Sequence, residues 1–177
     1  MGISEPVGIR ECAPSDRQAI LALYARAFPD EDLTRLVTTL LEDVVNVLSL
    51  AAILDDAIIG HAACTFCGLE GHNTQLALLG PLAVEPDHQK RGIGSTLIRA
   101  GSNRVQTSNA ARICVLGDPA YYGKFGFTPE TGVDPPYLLP NEWRGAWQSL
   151  NLSKDNAVSS GRLTVPAPWR DPALWGA

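Results

Sequence analysis

The spacing of hydrophobic residues changes period several times along the chain, which divides it into helices and strands. An i, i+3, i+4 spacing predicts a first helix that opens at residues 14–16 and stops before Pro29, and a second that starts near Asp30. The side chains on their buried faces are Ile20, Leu23, Tyr24, Ala27 and Phe28 in the first helix, and Leu33, Leu36, Val37, Leu40 and Leu41 in the second.

Alternating polar and apolar positions then predict strands at 46–54, 57–66 and 75–84, which we expect to form an antiparallel meander. The helical period returns between Ile93 and Val105, and residues 112–116 read as a buried strand. Because a helix connects strands 75–84 and 112–116, these two strands should be parallel. Gly80-Pro81 interrupts the first of them, so we expect that strand to be irregular and to part from a neighbour there.

The remaining pattern predicts a short strand at 7–12, a short helix at 121–126 and two further strands at 126–130 and 146–152, joined by a loop. A looser turn is expected at 68–74, and the last twenty or so residues fit no pattern. The fold class is therefore α/β (α+β): a mixed, mostly antiparallel central sheet with flanking helices and one parallel crossover. A ligand is expected at the carboxyl ends of the parallel strands, where the crossover helix starts.

Length and composition narrow the class of protein. The chain has 177 residues, 45% of them hydrophobic, and a net charge of −5. These values predict a globular protein with one domain at 1–155 and a C-terminal tail at 156–177 that packs on or extends it. The acidic balance argues against a nucleic-acid partner. The N-terminus lacks a secretory signal and the apolar runs are short of a membrane span, so we expect a cytoplasmic protein with no membrane partner.

Four cysteines, Cys12, Cys64, Cys67 and Cys114, raise the question of a metal or redox site. Cys64 and Cys67 have C-x-x-C spacing, but in a strand residues three apart point to opposite faces. No second such pair and no paired histidines complete a ligand set. The sequence therefore predicts simple core or surface thiols and no metal.

The stretch "DHQKRGIGSTL", residues 87–97, has the composition of an anion-binding loop. Gly92 and Gly94 stand at the start of a helix, whose free amides and dipole attract anions, and Lys90 and Arg91 precede them. The pattern is neither the P-loop motif nor the dinucleotide-binding motif G-x-G-x-x-G. Taken alone, Gly-x-Gly before a helix is weak evidence, because most such stretches are solvated turns.

Two motifs resemble those of the Gcn5-related N-acetyltransferase (GNAT) family. In "LAVEPDHQKRGIGSTLI", Gln89, Gly92 and Gly94 match the family's [QR]-x-x-G-x-[GA] pattern, which follows a strand ending in V-x-P. Many members have a further glycine where this chain has Lys90. "LGDPAYYGKFGF", residues 116–127, is similar to the second motif of the family, particularly in its YhbS-like branch. In element order the resemblance covers about residues 3–155 and leaves the tail outside.

The resemblance implies that acetyl-coenzyme A is the co-substrate, with no metal. Its pyrophosphate would be held by the amides of the glycine loop, and its pantetheine arm would pair with a strand edge opened by the splaying of 75–84 from 112–117. By this analogy the Val84 amide is the oxyanion donor. The implied cofactor-binding residues are Leu82, Ala83, Val84, Gln89, Lys90, Arg91, Gly92, Ile93, Gly94, Ser95 and Tyr122.

The same resemblance nominates catalytic groups. Tyr122, the second member of the aromatic pair, falls on the family's frequent general acid, whereas Tyr121 is more typical of packing. Glu85 follows the splayed strand and is the first candidate for the base, acting directly or through water. Other candidates for the base are His61, which also fits a core histidine, and Glu70 and His72, which also fit a solvated loop. His88 is expected at the surface, and Asp118 is expected to cap the short helix.

The resemblance therefore implies an acetyl-CoA-dependent N-acetyltransferase that moves an acetyl group to a primary amine by direct transfer through a ternary complex. The alternative is a non-catalytic module on the same fold that binds or senses coenzyme A or acyl-CoA. The acceptor is a small-molecule or peptide amine that the sequence does not specify, although Tyr137, Trp143 and Trp147 are candidates to line an apolar pocket or to pack. The oligomeric state is open, with a homodimer as one alternative.

Overall fold

The structure, a computed structural model, describes residues 6–154 and 158–177. The predicted boundary between the domain and the tail, at residue 155, lies outside the described residues. Helices within the described ranges are α1 (Arg17–Ala27), α2 (Thr34–Glu42), α3 (Ile93–Thr107) and the short α4 (Pro119–Tyr122). None of the helices in this part of the chain is long and apolar enough to cross a membrane.

The described residues also form nine strands. They are β1 (Gly8–Glu11), β2 (Val47–Leu54), β3 (Ala57–Leu69), β4 (His72–Val84), β5 (Arg112–Leu116), β6 (Thr128–Pro129), β7 (Val133–Asp134), β8 (Trp147–Asn151) and β9 (Gly161–Thr164). The chain divides into two compact units. The first contains residues 6–63 and 81–101, and the second contains 64–80, 102–154 and 158–177.

In the first unit, α3 packs on the sheet formed by β1, β2 and the start of β3. Strand β1 runs antiparallel to β2, with Gly8 opposite Ile53. A Cβ added at Gly60 would lie 3.0 Å from Leu97 and 3.1 Å from Ile93, so the glycine permits the close approach of α3. The buried core here consists of Leu50, Ala52, Ile59, Ala62, Ile93 and Leu97. Burial of each large apolar side chain contributes roughly 1.5–3 kcal/mol.

The two early helices form the other core of the first unit. Ile20, Leu23, Tyr24 and Val37 are buried together with Ala83 of β4, as the helical spacing predicts for the four helical residues. Helix α2 begins at Thr34, later than predicted, because the Asp32 carboxylate accepts the Thr34 amide at 3.1 Å and fixes the first turn there.

The second unit contains the parallel crossover. Strand β5 runs parallel to β4, with Ala77 opposite Ile113 and Leu79 opposite Val115. Strand β8 runs antiparallel to β5 on its other side, and β6 pairs with β8. Most strand pairs are antiparallel, and the predicted class of a mixed sheet with flanking helices is confirmed.

The hairpin of β3 and β4 corrects one expectation and confirms another. Its turn consists of Glu70 and Gly71 alone, so the looser turn predicted at 68–74 was wrong. Gly71 has a φ of 78°, which a left-handed position in a tight turn requires. Gly80 has a φ of 139°, and the pairing of β4 with β5 ends at Leu79, just before it. Strand β4 is therefore irregular and parts from a neighbour at the predicted place.

Residues 158–177, which the sequence pattern left unassigned, complete the second unit. Strand β9 pairs antiparallel with the end of β3 and parallel with β7. Beyond it, the Trp169 indole N–H donates to Thr65 Oγ1 at 2.9 Å, and the Trp175 indole N–H donates to the Trp169 carbonyl at 3.1 Å. Trp175 is 1% exposed and packs edge-on against Trp147, with ring centroids 5.8 Å apart. These indoles tie the C-terminal segment to the sheet.

Candidate functional site

The glycine loop connects β4 to α3 through an unusual backbone path. A 3-10 turn at Pro86–His88 leads into Gln89, which is extended. Lys90 then has a φ of 63° and Gly92 a φ of 82°. Both are left-handed conformations that glycine adopts most easily. Lys90 therefore occupies a conformation suited to the glycine that many GNAT sequences carry at this position.

The start of α3 presents free amides at the end of this path. The first helical hydrogen bond joins the Thr96 amide to the Gly92 carbonyl at 3.0 Å, and the Thr96 hydroxyl donates to the same carbonyl at 2.9 Å. The amides of Ile93, Gly94 and Ser95 precede that bond and so have no acceptor within the helix. No atom lies within 4 Å of a Cβ built on Gly92, so the space beside the loop is open. Such a surface can bind an anion.

The residues that precede the loop lie at the end of β4. Ala83 is buried, whereas Leu82 and Val84 are half-buried. These three residues come after Leu79, where the pairing with β5 ends. The Gln89 side-chain amide donates to the Val84 carbonyl at 3.1 Å and links the strand end to the loop.

Glu85 is held by an arginine that the sequence analysis did not identify. The Arg26 guanidinium donates to both carboxylate oxygens, at 2.6 and 2.9 Å for the shortest bond to each. These hydrogen bonds hold the pKa of Glu85 below its usual range. The Glu85 side chain is 19% exposed. The arrangement keeps a negative charge at the end of β4.

Tyr122 lies at the end of α4, in the second motif. The Asp118 carboxylate accepts the Ala120 amide at 2.9 Å, which confirms the predicted cap, and Gly126 ends the following turn with a φ of 92°. The short helix is thus defined at both ends, and this fixes where the Tyr122 side chain starts.

The Tyr122 ring sits in an aromatic cluster against a glycine. It packs edge-on against Tyr121 and Phe127, at centroid distances of 5.1 and 5.7 Å. A Cβ at Gly117 would collide with the ring, so this glycine makes room for it. Burial raises the pKa of Tyr122 to about 12. Among the described residues, none forms a hydrogen bond with its hydroxyl, which leaves the phenol available to a ligand.

The other candidates for the base have different surroundings. His61 is 1% exposed, and its Nδ1 lies 2.7 Å from the Tyr24 hydroxyl, while its Nε2 has no partner within the described ranges. Burial lowers the pKa of His61 to about 4, so it is neutral at physiological pH. Glu70 and His72 are exposed at the hairpin turn, and His88 is half-buried.

The cysteines lie in the core. Cys64, Cys67 and Cys114 are buried free thiols, and Cys12 is a half-buried one. Burial raises the pKa of Cys64 and of Cys67 to about 12, so neither forms a thiolate readily. No group of three or more metal-ligating side chains occurs in the part of the chain that the structure describes.

Comparisons with known proteins bear on this site. The acetyltransferase (GNAT) domain family matches residues 46–129, which include the glycine loop and Tyr122. The chain is 31% identical over 167 residues to the uncharacterized N-acetyltransferase YjhQ of Escherichia coli K12, covering 90% of this chain and 92% of that protein. This chain belongs to the GNAT family.

Further comparisons show that the chain is similar to YhbS in sequence and in structure, as the second motif indicates. The GNAT chain is 33% identical over 120 residues to the uncharacterized N-acetyltransferase YhbS of E. coli K12, covering 67% of this chain and 72% of that one. The crystal structure of E. coli YhbS in complex with CoA superposes with a TM-score of 0.83 at 26% identity, over 96% of this chain and 97% of that one. A GNAT acetyltransferase from Brucella melitensis in complex with acetyl-CoA gives a TM-score of 0.74 at 26% identity, over 93% and 98% of the two chains.

The hydrogen-bond partners of two candidates for the base, Glu85 and His61, were not predicted from the sequence. Arg26 and Tyr24 occupy α1, about sixty and forty residues before Glu85 and His61 in the sequence. For Tyr24 a hydrogen bond could have been predicted, since its spacing places it on the buried face of α1, where a hydroxyl needs a partner. Nothing in the sequence indicates the ion pair of Arg26, because an arginine on an exposed helix face is ordinary.

Proposed function

We propose that this GNAT protein transfers the acetyl group of acetyl-CoA directly to a primary amine within a ternary complex. The amine nitrogen attacks the acetyl carbon, a C–N bond forms, and the C–S bond breaks. The sulfur gains one proton and the amine loses one, so the reaction needs no other reactant. The observation that carries this mechanism is the Tyr122 phenol, which lies in the family motif with no hydrogen-bond partner among the described residues.

The glycine loop and the end of β4 are the proposed cofactor site. Acetyl-CoA supplies the activated thioester when bound. The backbone of residues 89–95 would hold the pyrophosphate, supported by the left-handed path at Lys90 and Gly92 and by the free amides of α3. Backbone groups of Leu82, Ala83 and Val84 would pair with the pantetheine, supported by the end of the β4–β5 pairing at Leu79. The Val84 amide is the proposed oxyanion donor.

Tyr122 is the proposed acid for the departing thiolate. A pKa of about 12 keeps the phenol protonated throughout the physiological range, which a proton donor requires. Coenzyme A thiols titrate near the cysteine range of roughly 8.5, so full proton transfer from Tyr122 is uphill. We therefore propose that Tyr122 donates a hydrogen bond to the sulfur as the C–S bond lengthens, that the departing thiolate gains its proton through Tyr122, and that water reprotonates the phenol.

Glu85 is the proposed base. Its pKa is lowered by Arg26, so it holds the amine proton only briefly and passes it to water. The buried imidazole of His61 is the second candidate, supported by its neutral state and its unpartnered Nε2 within the described ranges. The two differ in their partners, since Arg26 donates to Glu85 whereas His61 contacts Tyr24, which allows a test.

We further propose that residues 1–155 act as one acetyltransferase domain that 156–177 extends, that the acceptor is a small-molecule or peptide amine, and that the protein is cytoplasmic. The pairing of β9 with β3 and β7 supports an integral C-terminal segment. The four free thiols are typical of a reducing compartment.

A thiol-release assay over a panel of amines separates this function from a coenzyme A sensor. We expect amine-dependent release of free coenzyme A, together with an acetylated amine detected by mass spectrometry. Tight binding of acetyl-CoA with no release for any amine would contradict the transferase mechanism and favour the sensor.

A further inference from the structure

Gln148 is a polar side chain at a buried position of the second unit, and the proposed mechanism does not use it. It is 1% exposed and lies in β8, opposite Val115 of β5 on one side and Pro129 of β6 on the other. A buried side-chain amide costs stability unless hydrogen bonds satisfy its polar groups. The contacts of its nitrogen therefore indicate what the side chain does.

The Gln148 side-chain nitrogen donates to the backbone just beyond the end of β5. Nε2 lies 3.0 Å from the Gly117 carbonyl oxygen and 3.3 Å from the Ala146 carbonyl oxygen. The Gly117 amide donates to that same Ala146 oxygen at 3.0 Å. Only the nitrogen of a side-chain amide can face two carbonyl oxygens, which fixes how the Gln148 amide is turned. Both backbone polar groups of Gly117 are therefore held by hydrogen bonds.

The Tyr122 ring rests against the backbone of Gly117. A Cβ built on Gly117 would lie 3.0 Å from Cδ2 of the ring and closer still to Cε2, so the ring fills the space that a side chain would occupy. The φ of Gly117 lies outside the left-handed region. The contact with the ring, rather than an unusual backbone conformation, therefore requires glycine at position 117.

Packing is what restrains the Tyr122 phenol. The Tyr122 amide donates to the Asp118 carbonyl at 3.0 Å, which fixes the backbone of α4 but leaves the side-chain torsions free. No described residue forms a hydrogen bond with the Tyr122 hydroxyl. The contacts of the ring with Gly117, Tyr121 and Phe127 therefore determine where the hydroxyl lies.

We propose that Gln148 is a positioning residue for Tyr122: by holding the Gly117 backbone, its amide sets the position of the phenol. This inference rests on the proposed role of Tyr122 as the acid. Gln148 is buried, so it acts through Gly117 and does not touch the reacting atoms. Without the amide, the Gly117 carbonyl loses a hydrogen bond, its peptide plane turns, and the ring that rests on it moves. Because a misplacement of about 1 Å can cost a hundredfold in rate, turnover should fall while cofactor affinity is kept.

The first test removes the donor and keeps the shape of the side chain. Gln148→Met preserves the length of the side chain and removes both N–H groups. We expect kcat for amine-dependent thiol release to fall at least about tenfold, with Kd for acetyl-CoA unchanged. Gln106→Met is the matched control and should keep full kcat, since Gln106 Nε2 also donates to a backbone carbonyl, that of Leu152 at 3.1 Å, but at an exposed position of α3. Normal turnover in Gln148→Met would overturn the proposal.

A double variant separates positioning from general damage to the fold. In Tyr122→Phe the proton donor is already absent, so adding Gln148→Met should lower kcat by less than about twofold more. A defect that acts elsewhere would lower kcat by the same factor in both backgrounds, and that result would contradict the positioning role. Gly117→Ala, whose added methyl group displaces the ring directly, should also lower kcat with Kd unchanged, so the test does not depend on the folding of one variant.

A spectroscopic measurement without turnover separates this proposal from that of the acid. The chain has four tyrosines, at positions 24, 121, 122 and 137. After incorporation of 3-fluorotyrosine, the fluorine NMR signal that is missing in Tyr122→Phe belongs to Tyr122. We expect Gln148→Met to shift or broaden that signal and to leave those of Tyr24 and Tyr137 unchanged. An unaltered Tyr122 signal would show that Gln148 does not position the ring. If the signal moved but Tyr122→Phe turned over normally, the acid would be wrong while the positioning contact stood.

Discussion

The guanidinium of Arg26 forms three hydrogen bonds with the carboxylate of Glu85, at 2.6, 2.9 and 3.1 Å. They join the exposed face of α1 to the residue that directly follows β4. Because the ion pair stabilises the charged form of Glu85, it sets the lower end of the pH range in which that carboxylate accepts a proton.

Replacing Arg26 should therefore shift the pH dependence of activity. If Glu85 is the base, kcat/KM falls as pH drops through its pKa. Arg26→Ala removes the interaction that lowers this pKa, so the acid limb of the profile should move to higher pH. Arg17→Ala, which breaks the exposed pair of the same helix with Glu42, is the matched control. An acid limb that does not move would exclude Glu85 as the base.

A side chain at Gly92 should weaken the binding of acetyl-CoA strongly. The φ of 82° is unfavourable for any other residue, and Gly92→Asp also brings a negative charge to the proposed pyrophosphate site. We expect Kd, measured by calorimetry, to rise by more than about tenfold, with the far-UV circular dichroism spectrum unchanged.

Lys90→Gly supplies the control for that substitution. Glycine keeps the left-handed backbone at position 90 and removes one exposed positive charge. Kd should rise only a few-fold, and mainly at low salt, because an exposed charge is screened by ions. Normal affinity in Gly92→Asp would remove the loop from the cofactor site.

The buried His61 should make stability depend on pH. Burial lowers its pKa to about 4 in the folded protein, against 6.5 when exposed, so between these values the unfolded chain binds more protons. The free energy of unfolding should then fall by up to about 3 kcal/mol as pH drops from 6.5 to 4. In His61→Gln this part of the slope should disappear in urea titrations across that range. An unchanged slope would assign it to other groups.

The local pattern of the sequence predicted much of the fold. Apolar spacing located α1, α3, β2 and β5, and the Gly80-Pro81 pair marked the irregular point of β4 because neither residue suits a regular ladder. The C-terminal segment gave no such signal. Its position in the fold depends on two contacts with residues that are distant in the sequence. Trp169 donates a hydrogen bond to Thr65, and Trp175 packs against Trp147.

The candidate site likewise has positions that the sequence predicts and contacts that it does not. Loop and helix positions such as Gly92 and Tyr122 follow from short motifs, since a few adjacent residues set the backbone there. Arg26 and Glu85, like Tyr24 and His61, are brought together by strand and helix packing. No local pattern encodes such distant pairs.

The measurement that tests the central claim most directly is the comparison of Tyr122→Phe with Tyr121→Phe. The two rings pack edge-on 5.1 Å apart, and each substitution removes one hydroxyl while keeping the ring. We predict that Tyr122→Phe lowers kcat for amine-dependent thiol release by about a hundredfold, with Kd for acetyl-CoA unchanged, because a general acid contributes roughly 10²–10⁴-fold. Tyr121→Phe should retain nearly full turnover. Normal turnover in Tyr122→Phe would contradict the account and reduce Tyr122 to a packing residue.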